Sequence, residues 1–393
     1  MRVCLISGEY PPMQGGVGDY TRELGRALQH QGHATCVLTS TAAQPPPEPS
    51  LPHDPEVRPV VTRWNWQCWS IVLSTMRQST PDVVHIQYQT AAYGMHPAIN
   101  LLPSLIRRIQ PGPRLLVTLH DLRVPYLFPK AGPLRQAVNR LLMRHCDGVI
   151  VTNEEDQEDI LDSRLTTPLR LIPIGSNIPT QAPPNYDRSA HRSAMGISED
   201  ETVLCYFGFL NASKGGEALL RVTAELIHRG HKIKLLMIGG QIGSSDPTNA
   251  VSLRRVQELA QGLNLEQRMI WTGFTAPEQV SANFWASDLC ILPYLDGASY
   301  RRGSFMAALA HGLPIISTQP RVRLETLLDD QNVLLAPPDD VRAISAAAER
   351  LITDPELRRR LGRGASALAK QFSWDHIADQ TAQFYQELGA LRT

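Results

Sequence analysis

Ser299, Arg301, Arg302 and Ser304 crowd into one polar loop with Asp296, Gly297 and Gly303. The loop lies between an apolar run over 289–295 and a helical pattern from about 302 to 310. Guanidinium groups offer donors only, so their partner should be an anion. Neighbouring hydroxyls and the unpaired amides of a helix's first turn suit the same partner. A further cation, Lys214, stands in the turn Asn211-Ala212-Ser213-Lys214-Gly215-Gly216, where another helix begins. His120 ends an apolar run over 115–119 and is followed by Asp121. Gly15 and Gly16 lie in a long loop, GEYPPMQGGVGDY, after the first apolar run. Glycine there lets backbone amides approach a phosphate that any Cβ would hold off. These residue types read as a site for an anion. Taken singly, each has a plainer reading: a solvated basic loop, a solvated lysine, a core histidine, a flexible turn.

The elements that must position them are those of a parallel sheet, whose ligands bind at the carboxyl ends of the strands. The text 289–318 reads strand, loop, helix to Gly312, then a second strand over 314–317. Strands are also expected over 2–7, 34–39, 81–87, 115–119, 148–152 and 169–173, with helical text between several of them. The alternation restarts with strands over 202–209, 232–240 (ending in Gly239-Gly240), 269–274, 289–295, 314–317 and 333–336. Residues 177–192 are the best linker. The proline-rich stretch 41–56 reads as an exposed connection. Trp64, Trp66 and Trp69 precede an apolar helical stretch and are expected to pack into a core, with a membrane contact the minority reading. From residue 339 onward the text is helical, and the last helix opens with Ser373 as its cap.

A strand, glycine loop and helix also invite a dinucleotide reading. The fingerprint requires G-x-G-x-x-G, but here Gly16 and Gly18 are followed by Thr21. The second strand ends Leu38-Thr39-Ser40 without the acidic residue that would hold a ribose. A nicotinamide enzyme is therefore disfavoured.

The string Ala310-His311-Gly312-Leu313-Pro314-Ile315-Ile316-Ser317-Thr318, with the loop before it, resembles the donor-site segment of glycosyltransferase family 4, the retaining GT-B enzymes. Lys214 stands in text similar to the family's G-R-L-x-x-x-K-G: Gly208, Leu210, Lys214 and Gly215 match, and Phe209 replaces the arginine. Thr118-Leu119-His120-Asp121 resembles the family's Thr-x-His-Asp, and Gly15-Gly16 its N-domain loop. Aligning Gly312 and Pro314 with the family's Gly and Pro puts its two glutamates, eight positions apart, at Ser299 and Ala307. Both carboxylates are missing.

The resemblance covers nearly the whole chain. It implies an α/β protein of the GT-B fold, with two Rossmann-like parallel-sheet domains facing a cleft. The expected domains are an acceptor-side domain over 1–178, onto which a C-terminal helix over 373–393 crosses back, and a donor domain over 190–372. The implied reaction moves a sugar from a nucleotide-diphosphate sugar to an acceptor with retention of anomeric configuration. His120 would lie near the donor sugar. Lys214, the Gly15-Gly16 loop, Arg301 and Arg302 would stabilise the diphosphate. Asp121, Gly208, Gly215, Gly239, Gly240, Gly273, Asp296, Gly297, Ser299, Gly303 and Ser304 complete the expected binding set, with Asp296 as the substitute carboxylate for the ribose. The nucleobase pocket would lie around 268–273, where Trp271 reads equally as core or base-facing. No D-x-D pair stands in a suitable loop, so neither metal nor cofactor is expected beyond the nucleotide sugar itself. Two other classes stay open: a binding or scaffold protein with lost turnover, and another GT-B activity such as a nucleotide-sugar epimerase. The acceptor, whether saccharide, lipid-linked saccharide or small molecule, is not legible, nor are the sugar and base.

Composition sets the outer limits. A chain of 393 residues has room for two cores. A formal net charge of zero gives no field for nucleic acid. Six dispersed cysteines without a C-x-x-C pair read as buried thiols. The first residues enter a strand directly, with an apolar run too short for a secretory signal. No run reaches the length of a membrane span. The expectation is a cytoplasmic protein, with a peripheral membrane contact left open.

Overall fold

Short, almost wholly apolar runs make the strands, because each sheet is covered on both faces. The computed structural model describes residues 1–13, 15–44, 53–109, 112–122, 132–163, 165–239 and 248–390. The chain divides into two units: Met1–Gly175 with Trp374–Thr393, and Ser176–Ser373.

Unit 1 contains, in order, β1 (Arg2–Ser7), α1 (Gly16–His30), β2 (Ala34–Ser40), β3 (Glu56–Val61), α2 (Cys68–Ser79), β4 (Val83–Tyr88), α3 (Ala98–Ile109), β5 (Arg114–Leu119), α4 (Gly132–Arg144), β6 (Gly148–Val151), α5 (Glu154–Asp162) and β7 (Leu169–Leu171). Unit 2 contains α6 (Arg188–Ala194), β8 (Thr202–Phe207), α7 (Gly216–His228), β9 (Ile233–Ile238), α8 (Thr248–Gly262), β10 (Met269–Trp271), α9 (Pro277–Ala286), β11 (Leu289–Leu292), α10 (Gly303–Ala310), β12 (Ile315–Thr318), β13 (Leu334–Ala336), α11 (Val341–Thr353) and α12 (Pro355–Ala369). The last helix, α13 (Trp374–Ala390), belongs to unit 1. The sheet orders are β3-β2-β1-β4-β5-β6-β7 and β10-β9-β8-β11-β12-β13. Every ladder within them is parallel. These are two Rossmann-like sheets, each reversing its order beside its first strand (β1/β4 and β8/β11), which is where such sheets bind ligands.

In unit 1 successive residues of one strand enter different cores, as the pleat requires. Ile6, Leu38, Val84 and Val117 pack with Met76 of α2 and Leu102 of α3. Leu5, Val37, Leu116 and Ile150 pack with Leu24 and Leu28 of α1 and with Ile377, Phe384 and Leu388 of α13. The α13 contact needs Gly148: a Cβ there would stand 2.6 Å from Leu388 and 2.9 Å from Phe384. Hydrogen bonds tie the same helix down, from Tyr385 to His85 at 2.7 Å and from Gln31 to Asp379 at 2.9 Å.

Several expectations need correcting. The apolar run 289–295 is strand only as far as Leu292; Leu295 is already exposed in the loop. Residues 45–52 of the stretch 41–56 lie outside the described residues; of the rest, Ala43 is fully buried and Glu56 begins the edge strand β3. Among the described residues that strand pairs only with β2, and its register slips between Thr39 and Ser40. Of the three tryptophans only Trp69 lies on α2, where its Nε1 donates to the Ala98 carbonyl at 2.9 Å. Trp64 is buried ahead of the helix, and Trp66 is about half exposed at 48%. Much of 177–192 is fastened to unit 2: Trp285 donates to Thr180 O, Tyr186 donates to Ala282 O, and buried Arg192 pairs with Asp288 at 2.5 Å. All six cysteines are buried and free of disulfides.

Candidate functional site

In unit 2 two loops at the carboxyl ends of neighbouring strands deliver cations to one aromatic ring. After β8 the chain turns through Asn211, whose Oδ1 accepts from the Ser213 amide at 3.1 Å. Lys214 follows, and then Gly215 opens α7 at φ 69°. A Cβ on Gly215 would lie 1.8 Å from the Pro293 carbonyl, so the two loops can touch only through glycine. After β11 come Pro293, Tyr294, Leu295 and Asp296. The chain then reverses at Gly297 (φ 84°), where a Cβ would lie 2.5 Å from Gln319 O.

Tyr294 is the platform on which these loops converge. The Arg302 guanidinium sits 4.1 Å from its ring centroid and Lys214 Nζ 5.3 Å from it. Its hydroxyl and Ser304 Oγ are 2.7 Å apart, and Lys214 Nζ donates to the same Oγ at 3.4 Å. Arg302 donates to Asp296 Oδ1, and Arg301 approaches Oδ2 at 4.0 Å. Burial pushes Lys214 down to about 7, with the Arg302 charge adding to the effect. Asp296 is paired with Arg302 and approached by Arg301, and its charge also acts on Lys214. Three cationic side chains thus gather in a mostly buried place, a setting that suits an anion.

This geometry revises the role expected of Asp296. Its oxygens face the two arginines, so it is their counter-ion rather than a spare acceptor for a ribose. Ser299 supports the same loop, its Oγ accepting from the Arg301 amide at 3.5 Å and its carbonyl from the Arg302 amide at 3.2 Å. Ala307 is fully buried within α10, so a glutamate placed there would have to displace packed core atoms. Arg302 is the cap residue and Gly303 the first residue of α10. Gly208 brings its backbone to 3.6 Å of Ser304 Cβ, measured from the position of a built Cβ. Gly239 and Gly273 end neighbouring strands and form a bridge, locked by Thr272 Oγ1, which accepts from the Gly239 amide at 3.1 Å. Trp271 is half-buried. Gly240 lies outside the described residues.

Unit 1 carries the remaining expected residues, and His120 has a defined seat there. Its Nε2 and Gln87 Oε1 are 3.0 Å apart across β4 and β5, and the Tyr20 ring meets it edge-on at 4.6 Å. Tyr20 in turn meets Trp374 of α13 at 5.2 Å. One rung back, His85 bridges Thr118 and Tyr385, at 2.7 Å to each. Asp121 is half-buried beside His120 in the chain. The glycine loop has an occupant of its own. Glu9 Oε1 accepts from the amides of Val17 (3.0 Å) and Gly18 (3.3 Å), and a Cβ on Gly15 would stand 2.0 Å from that oxygen. The glycine at 15 therefore makes room for a carboxylate of the chain itself. A Cβ on Gly16 would meet nothing within 4 Å.

Sequence reasoning passed over Tyr294, Gln87 and Glu9. Glu9 had a signal: it is an acid placed shortly before a helix start, where unpaired amides want an anion. Tyr294 had only its place at a strand's end. Gln87 depends on the register between strands, which a single strand's text does not carry.

The buried imidazole of His85 and the half-buried one of His120 make stability depend on pH. Burial lowers His85 and His120 from 6.5 to about 3. Below pH 6.5 the unfolded chain takes up these protons while the folded chain resists them down to about 3. Stability is thus present above 6.5 and is lost as pH falls through that window. Each imidazole contributes about 1.4 kcal/mol per pH unit. The buried carboxylates of Glu9 and Asp19, raised by burial, act with the opposite sign, so a variant is needed to isolate the effect. Between pH 7 and 5, His85→Gln should lose about 2 kcal/mol less stability than the parent, measured by urea unfolding. Equal losses in the two proteins would contradict this account of His85.

Comparison with known proteins bears on what these two units are. A family model described as "Glycosyl transferase 4-like domain" matches residues 15–175, and one described as "Glycosyl transferases group 1" matches 187–367. D-inositol 3-phosphate glycosyltransferase of Corynebacterium jeikeium is 26% identical over 65% of this chain and 60% of its own length. The match thus spans about three fifths of that relative. Alpha-monoglucosyldiacylglycerol synthase of Streptococcus pneumoniae is 24% identical over 98% of this chain and 85% of its own. Among solved structures, sucrose-phosphate synthase of Thermosynechococcus elongatus superposes with a TM-score of 0.78, at 24% identity over 99% of both chains. The Anabaena protein HepE, solved with UDP and glucose, superposes with a TM-score of 0.75 at 17% identity, over 98% of this chain and 99% of its own. These are likenesses of fold, and both structures are similar to this chain from end to end.

Proposed function

Since this chain belongs to glycosyltransferase family 4 and has the GT-B fold, we propose that it moves a sugar from a nucleotide-diphosphate sugar to a hydroxyl-bearing acceptor with retention of configuration. The observation that carries this reading is the convergence of Lys214 and Arg302 on the Tyr294 ring, with Arg301 beside them at Asp296. A diphosphate leaving group is an anion these cations suit, and it gains most charge as the bond to the sugar breaks. Fixed cations on a rigid platform therefore stabilise the transition state more than the ground state.

HepE, solved with UDP and glucose, supplies a probe rather than an answer. A thermal-shift panel of UDP, ADP and GDP and their glucose conjugates should show one nucleotide series raising the melting temperature. No shift with any of them would sink the donor-site reading. Product analysis separates transfer from epimerisation of the donor.

The same cations remove the need for a divalent ion at the diphosphate. Transfer should therefore persist in excess EDTA. Activity lost in EDTA and restored by magnesium or manganese would mean that the lysine and arginines do not suffice.

A further inference from the structure

We propose that Cys4 and Cys36 form a peroxide-reactive dithiol in unit 1, in which Cys36 attacks the peroxide and Cys4 closes a disulfide with it. The site is separate from the Lys214 cluster and does not depend on the transfer reaction. Cys4 lies on β1 and Cys36 on β2, and the two are direct register partners in a parallel ladder. Register partners share a face of the sheet, and both side chains enter the same core with Leu38, Val61 and Met76. Neighbouring strands run about 4.8 Å apart, inside the span of about 4.4–6.8 Å between Cα atoms that a disulfide bridges.

The two thiols differ in readiness. The Cys4 thiol donates a hydrogen bond to Cys36, which pulls Cys36 below its usual range and holds Cys4 well above its own. Burial and the Glu56 charge work against the Cys36 thiolate, and the Arg58 charge works for it. Glu56 is the register partner of Cys36 on the edge strand β3, and Arg58 Nε donates to Glu56 Oε1 at 2.8 Å. Access differs as well. Cys36 keeps 9% of its surface exposed, the most of the six cysteines, whereas Cys4 has none. A thiolate with that opening can meet a molecule as small as hydrogen peroxide.

Unit 2 holds an internal control. Cys205 and Cys290 are likewise register partners, on β8 and β11. Both strands are interior to their sheet, both cysteines are fully buried, and burial raises Cys290 well above its usual range. The same spacing without exposure should leave this pair reduced.

In the first step Cys36 Sγ attacks one peroxide oxygen and the O–O bond breaks. The departing oxygen takes a proton and leaves as water, and Cys36 becomes a sulfenic acid. Cys4 Sγ then attacks the Cys36 sulfur, the S–O bond breaks, and a second water leaves with the Cys4 proton. Two thiols are oxidised and one peroxide is reduced to water. The bridge ties together the strands on either side of α1.

Thiol mapping tests this. The reduced full chain is treated with hydrogen peroxide at a dose that oxidises half of an equal concentration of glutathione in a parallel tube. Remaining thiols are blocked with N-ethylmaleimide in denaturant, and the unreduced tryptic peptides are read by mass spectrometry. The expected result is a Cys4–Cys36 linked peptide, with two of the six thiols lost and both recovered by dithiothreitol. Cys205 and Cys290 should be lost roughly tenfold more slowly or not at all. In Cys4→Ala, dimedone should trap Cys36 as its sulfenic acid; in Cys36→Ala, Cys4 should be oxidised roughly tenfold more slowly than in wild type. Any wild-type result without the Cys4–Cys36 bridge within one chain overturns the proposal. So does a Cys205–Cys290 bridge that forms as fast, or undiminished oxidation of Cys4 in folded Cys36→Ala. Should a variant not fold, the wild-type map alone decides.

Discussion

Replacing Lys214 with Ala abolishes measurable transfer while leaving the protein folded. A charge-assisted bond to a phosphate oxygen contributes about 1.5–3 kcal/mol, so diphosphate affinity should fall roughly 10- to 150-fold. The rate should fall further, because the leaving group carries more charge in the transition state than in the bound donor. Folding has little to lose. Burial brings Lys214 from 10.5 down to about 7, so the fold resists its charge. The unfolded chain keeps that proton up to 10.5, and this lysine's cost to stability shrinks as pH rises from 7 to 10.5. Lys214→Ala should therefore melt no lower than wild type at neutral pH.

The same residue predicts how binding depends on pH. A bound diphosphate raises the lysine's affinity for its proton, so above pH 7 binding takes up a proton. Affinity should fall by up to tenfold per pH unit there. Calorimetry in buffers of different ionisation enthalpy detects that uptake, and it should be absent in Lys214→Ala. A variant with unchanged donor affinity and rate would remove Lys214 from the site.

Much of this was readable in the amino-acid text, for physical reasons. The interior strands are apolar because both of their faces are covered, so runs such as 2–7 and 202–207 announce themselves. The edge strand β3 did not. It reads Glu-Val-Arg-Pro-Val-Val, pairs on one side only, and tolerates a proline that an interior strand would not. The cations were legible from residue type and from their place at helix starts. Their electrostatic partners were not. Asp296 turns toward Arg302 only because the chain reverses at Gly297, and the lysine meets Tyr294 only because Gly215 lets two loops touch. Glu9 shows the same limit from the other side. The glycine loop suggests a phosphate, but the amides of Val17 and Gly18 are taken by a side chain eight and nine positions earlier in the chain.

Arg301 and Arg302 carry the second large expectation, because they stand where the family's glutamates are absent. Guanidinium groups have donors only, so a ligand that joins them must be an acceptor. If their further partner is the diphosphate, replacing both with Ala weakens nucleoside diphosphate binding by about two orders of magnitude, at 1.5–3 kcal/mol for a charge-assisted contact. Binding of the bare nucleoside should hardly change. Added salt should weaken the wild-type complex and affect the double variant less. A glutamate placed at position 299 should not rescue the variant, because a carboxylate would repel the phosphates.

Titration calorimetry therefore tests the central claim, that a buried cation cluster around Tyr294 grips the donor's diphosphate. The pair to compare is UDP and uridine, or the corresponding adenine or guanine pair if the thermal panel selects that base. Wild type and Arg301→Ala/Arg302→Ala are titrated side by side. The account predicts a loss of about 100-fold for the diphosphate and less than threefold for the nucleoside. Equal losses for both ligands would mean that the arginines only hold their loop together, and the diphosphate grip would then have to be sought elsewhere.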